Sequence, residues 1–231
     1  MIPAQTTSNR LATYREALVV LVGITASRRK RSHLRRYFGS HSGYDVFVPD
    51  LPYRRPLPAV AAWFADYLAN EVRPQRFDKL HCITYIAGNA LLRSLPPDRQ
   101  PEFERRVCFR GPYQELVAAS LVERIGPFLA GLVAGKSVLD LAAGWPARFP
   151  ERRHAGHEAL IVEEGRSRMA RWLGIRAADI PPESWQDTEL LPGAEAVLHV
   201  PQSHDDVYTD DTVLAAALEY IRHGRFPDTR T

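Results

Sequence analysis

Three observations point to an α/β fold, with a mostly parallel sheet of about six strands and helices on both faces. Short apolar runs alternate with helical patterns along almost the whole chain. Several of the runs are continuously apolar rather than alternating, as suits strands buried on both faces. The length, 231 residues, fits one α/β domain that buries a core without disulfides.

The elements follow in order. Ala17 to Gly23 is an apolar run ending in glycine, the first strand. Arg28 to Gly39 is a basic helix with Leu34, Tyr37 and Phe38 on one face. Gly43 introduces the second strand, Tyr44 to Pro49. Pro56 and Pro58 open a helix that carries Val60, Trp63, Phe64, Tyr67 and Leu68 at helical spacing. Leu80 to Tyr85 is the third strand, Ala87 to Leu95 its following helix, and Arg106 to Phe109 the fourth strand. Residues 112 to 157 form a lid-like insertion in an otherwise single domain, 1 to 231, with helical patches at Leu116–Ile125 and Phe128–Leu141. Glu158 to Val162 and Glu195 to Val200 are strands five and six. Asp210 or Asp211 caps a last helix through Val213, Leu214, Leu218 and Ile221.

The composition narrows the function. Apolar residues make up 45% and charged residues 25%, which reads as soluble and globular. Thirty Lys and Arg face 27 Asp and Glu, a net charge of +3 that calls for no nucleic-acid partner. The N-terminal stretch lacks a basic region followed by a long apolar core, and the first apolar run is too short for a bilayer span. No transmembrane segment is therefore expected. Cys82 and Cys108 sit in strand-like runs and read as buried free thiols, so a cytoplasmic protein is expected. No cofactor motif and no metal-ligand spacing is present.

In such sheets ligands sit at the carboxyl ends of the strands, and there the residues resemble a known family. Leu18 to Arg55 resembles the opening of small bacterial lipases and esterases of the α/β-hydrolase superfamily: strand, turn, Arg-rich helix, Gly-Tyr, and a strand running into Pro49-Asp50-Leu51-Pro52-Tyr53-Arg54-Arg55. Leu80 to Leu95 resembles the strand, elbow and helix that carry the nucleophile. Arg106 to Glu115 is similar to the next strand and its loop. Leu191 through His204 and on to Phe226 is similar to the C-terminal end, including a Ser-His that supplies the catalytic base. The family's chemistry needs a serine on a strained turn, a histidine to take its proton, an acid to orient the histidine, and backbone N–H groups for the oxyanion.

Against that pattern the chain departs three times. The elbow, Thr-His-Ser-Met-Gly-Gly in the family, reads Thr84-Tyr85-Ile86-Ala87-Gly88-Asn89 here, so the nucleophile position is Ile86. Isoleucine has no nucleophilic atom, and a β-branched residue resists the positive φ of an elbow. The His-Gly after the first strand is Val22-Gly23, leaving Gly23, Ile24, Tyr85 and Ala87 as the oxyanion and cleft positions. The acid position falls at Pro181, which makes Asp179 and Glu183 weak acid candidates, with Asp187 beside them. His204 alone matches its family position and is the candidate base.

Simpler readings compete. His204-Asp205-Asp206 with Asp210-Asp211 reads as a solvated loop and helix cap rather than a metal site. The cluster Arg28 to Arg36 reads as a solvent-facing helix side rather than an anion site. Two functions remain open. One is a pseudohydrolase whose cleft takes a small apolar or acyl-like ligand or a protein partner. The other is a non-serine hydrolase or lyase with His204 as general base. A solvent-reachable cavity joining His204, Ile24 and Ala87, with an acid on His204, favours the enzyme; a filled cleft favours a scaffold or partner binding.

Overall fold

The computed structural model describes residues 15–144, 156–186 and 191–227. The first strand, β1, spans Glu16–Leu21; α1 is Arg28–His41; β2 is Asp45–Phe47; α2 is Leu57–Tyr67; β3 is Lys79–Tyr85; α3 is Ile86–Arg93; β4 is Arg105–Arg110. Then come α4, Pro112–Ala134; α5, Ser137–Ala142; β5, His157–Gly165; α6, Arg168–Leu173; β6, Ala196–Ser203; and α7, Asp211–His223. The six strands form one sheet in the order β2-β1-β3-β4-β5-β6. Every neighbouring pair is parallel.

Alternation along the strands sends successive side chains to opposite faces. Leu18, Val20, Ile83, Val107 and Phe109 meet Leu34 and Phe38 of α1 and Val213, Leu214 and Ile221 of α7. On the other face Val19, Leu21 and Cys82 meet Val60 and Phe64 of α2 and Leu91 of α3. All six expected strands are present, their ends moved by a few residues. The helix caps follow sequence chemistry: Ser27 accepts from Lys30 N–H at the start of α1, and Asp210 accepts from Thr212 and Val213 N–H at the start of α7.

Because β1 has β2 on one side and β3 on the other, the strand order reverses at β1. A crevice therefore opens at the carboxyl ends of β1 and β3, where the connections leave toward opposite faces. The loop after β1 (Gly23 to Thr25) and the start of α3 border it. Between β4 and β5, α4 and α5 pack on each other through Ala118, Leu121, Ala130 and Val138. The rest of the expected insertion, residues 145–155, lies outside the described residues, as does Asp187.

By length and composition α4 is long and apolar enough to cross a membrane, with 23 residues and a mean hydropathy of 1.6. Gly126 breaks it: φ is +80°, a conformation glycine adopts freely, and Pro127 follows. Each part is shorter than the ~20 residues a span requires. The second part leaves Phe128, Leu132 and Val133 exposed, Phe128 to 81%.

Candidate active site

Ile86 is the first residue of α3, directly after β3. Tyr85, before it, is extended at φ −97°. Among the described residues the only non-glycine with positive φ is Arg76, so no strained elbow exists at Ile86. The physical reason is the branched Cβ, which strongly disfavours that conformation. A helix starts there instead, and the Ile86 side chain lines a cavity of about 220 Å³.

His204 closes the other side of this cavity, at the turn after β6, and is only 3% exposed. Its Nδ1 lies 2.9 Å and 3.1 Å from the two carboxylate oxygens of Glu163. A carboxylate only accepts, so Nδ1 carries the proton in the neutral ring and Nε2 is left to accept. The Tyr208 hydroxyl donates to Nε2 at 3.1 Å. The same oxygen accepts the Gly23 backbone N–H, also at 3.1 Å. One buried chain thus runs Glu163, His204, Tyr208, Gly23. Tyr208 is fully buried, and burial, helped by Tyr85 and Glu163, holds its phenol well above the usual range, so it stays protonated.

Glycine is required at position 23. A Cβ there would stand 2.6 Å from the Tyr208 hydroxyl and 3.2 Å from His204 Nε2. Tyr85 lies behind the site rather than in it. Its ring stacks between Phe109 at 4.7 Å and Tyr208 at 4.1 Å, and its edge meets the His204 ring.

The structure therefore brings together His204, Ile86, Ile24 and Ala87, which all line the cavity, with Gly23 bonded just behind. It does not bring either expected acid to His204. Asp179 ends a short turn, where the Arg176 backbone N–H and guanidinium hold its carboxyl below its ordinary range. Glu183 sits exposed in the next short turn. The acid on His204 is Glu163, at the carboxyl end of β5. The resemblance places the acid at Pro181, beyond β5, yet an acidic residue closing a buried parallel strand is itself a sequence signal. Tyr208 carried no comparable signal, because tyrosine one turn beyond a loop histidine is ordinary core material.

The acidic loop has other partners. Asp205 accepts the Arg168 N–H and lies 3.6 Å from Lys30, and Asp206 accepts the Ser203 hydroxyl. Among the described residues no group of three or more His, Cys, Asp or Glu is arranged to hold a metal ion. Of the basic helix α1, Arg31 and Arg35 pair with Asp50. Cys82 and Cys108 are both buried and neither forms a disulfide, and burial raises the Cys82 thiol far above its usual range.

The six-stranded parallel sheet with its flanking helices is an α/β-hydrolase fold. Solved structures similar to the chain are lipases and esterases. The mature form of the lipase BlEst2 from Bacillus licheniformis aligns at a TM-score of 0.64 and 14% identity, over 91% of this chain and 92% of that one. The metagenome-derived lipolytic enzymes LipS and LipT give 0.56 at 18% identity, covering 90% and 94%. MGS-M2, an α/β-hydrolase from a Medee basin deep-sea metagenome, gives 0.52 at 10%, covering 96% and 94%. No family model and no curated protein sequence matches the chain. At such identities the likeness carries the fold alone.

Proposed function

We propose that the chain is a pseudohydrolase: a lipase- or esterase-like scaffold without the serine nucleophile, whose cavity binds a small apolar or acyl-like ligand. The observation that carries this reading is the Tyr208 hydroxyl on His204 Nε2. In a working triad that nitrogen faces a nucleophile. Here it is bonded inside the core, and the position of the nucleophile holds Ile86. The helices α4 and α5, which supply Val117, Leu121, Val138 and Leu141 to the cavity wall, act as its lid-like cover. Two buried cysteines that form no disulfide support a cytoplasmic setting. A protein partner remains the other candidate occupant of the cleft.

A second reading has its own observation. The cavity joins His204, Ile24 and Ala87, and Glu163 orients the imidazole. That arrangement supports a non-serine enzyme in which Tyr208 swings aside and His204 acts as general base on water or substrate. One assay separates the two. Purified wild type and His204→Ala are incubated with a panel of short and long acyl esters. Background rates in both are the result expected for the pseudohydrolase; turnover that disappears in His204→Ala belongs to the enzyme.

A further inference from the structure

The cavity contains polar groups that the closed chain from Glu163 to Gly23 leaves unused. Asn89, within the first turns of α3, lines the cavity and is 3% exposed, and its Oδ1 has no hydrogen-bond partner. Gln114, in the first turn of α4, also lines it, and its Oε1 likewise has none. Buried polar atoms are ordinarily satisfied, and exceptions gather where a ligand completes them. Both orphan atoms are acceptors, and a carboxamide turns readily about its last torsion to present its oxygen. What they lack is a donor.

The charge of the lining bears on the kind of donor. Arg93, Arg110 and Arg168 border the cavity against Glu115 and Asp205. Arg110 already spends Nε and Nη2 on one oxygen of Glu115, at 2.8 Å and 2.6 Å. Charges of both signs border the cavity, with the Glu163 carboxylate just behind His204, so a charged head of either sign gives up its water without a clear counter-charge. A carboxylate, in addition, offers no proton to either amide oxygen. The remaining wall is aliphatic, and the cavity of about 220 Å³ is roomy enough for several waters. A short alkyl chain fits such a space.

We propose that the cavity takes a neutral amphiphile with a hydrogen-bond donor at its head, an alcohol or a primary amide on a short alkyl tail. The head donates to Asn89 or Gln114, and the tail lies against Val117, Leu121, Val138 and Leu141. The proposal rests on the binding reading above and narrows the ligand class of the same cavity.

Isothermal titration with hexanol, hexanamide, sodium hexanoate and hexylamine tests it on the wild-type protein. Hexanol and hexanamide are expected to bind saturably, with hexanoate and hexylamine at least about tenfold weaker, the first for one unmade hydrogen bond to a buried group and both for the charge they would bury. At least one of Asn89→Leu and Gln114→Leu is expected to weaken hexanamide about tenfold without lowering the melting temperature, since each removes an unpaired buried oxygen. Preference for hexanoate or hexylamine, equal binding of all four, or binding of none overturns the proposal. So does hexanamide binding unchanged in both variants. The wild-type order of head groups decides the matter even if a variant folds poorly. Ethyl hexanoate in the same series separates the two readings: its hydrolysis, lost in His204→Ala, would sink the binding reading while leaving the head-group order to stand or fall separately.

Discussion

Ile86 and Tyr208 together carry the proposed loss of hydrolysis. Restoring the missing hydroxyl alone does not restore a triad, because Tyr208 occupies His204 Nε2 and the backbone at position 86 is helical. Ile86→Ser is therefore expected to leave ester hydrolysis at background, measured with the same acyl panel. Gly23→Ala tests the chain from the other end. Its Cβ would displace the Tyr208 hydroxyl, breaking the Gly23 and His204 hydrogen bonds at once. A loss of about 2 kcal/mol in denaturant unfolding is expected from the overpacking and the unmet groups. At this scale the sequence was informative about single positions and uninformative about contacts. Ile86 and His204 were legible because strand and loop order placed them. The acid was not, because Glu163 reaches His204 across the sheet end, a pairing that depends on the register of β5 beside β6.

Elements carry a different kind of information. All six strands could be read from the sequence because parallel strands buried on both faces need continuous apolar runs. Where polar residues interrupt a strand, pairing explains them. Arg106 of β4 lies directly opposite Glu158 of β5, and their side chains form a buried ion pair. Breaking such a pair strands one charge in the core. Glu158→Ala is expected to cost about 3–5 kcal/mol in denaturant unfolding. A loss under about 1 kcal/mol would show that water or another group takes over the guanidinium. The long segment after β4 was harder to read. Its two helical patches were visible, but Gly126 and Pro127 permit either a loop or a sharp break in one helix, and packing on α5 selects the break.

Across the whole molecule, pH reports on a buried group far from the cavity. His81 of β3 is fully buried, stacks on Tyr44, and places Nε2 2.9 Å from the Glu16 carboxylate. Burial lowers its pKa more than Glu16 raises it, so the folded protein resists the protonation that the unfolded chain accepts near 6.5. Between that value and the lower folded one, the unfolded state binds more protons, and stability falls as pH falls. Melting temperatures should therefore drop as pH goes below about 6.5, with a shallower slope in His81→Phe. Equal slopes in the two proteins would remove His81 from the account.

The most direct test of the pseudohydrolase account is the rate of acyl-ester hydrolysis by the wild-type protein beside His204→Ala. The account predicts equal, background rates across short and long chains, because Tyr208 holds His204 and Ile86 supplies no nucleophile. Wild-type turnover that His204→Ala abolishes would contradict it, and would mean that the imidazole leaves Tyr208 to act on water or substrate.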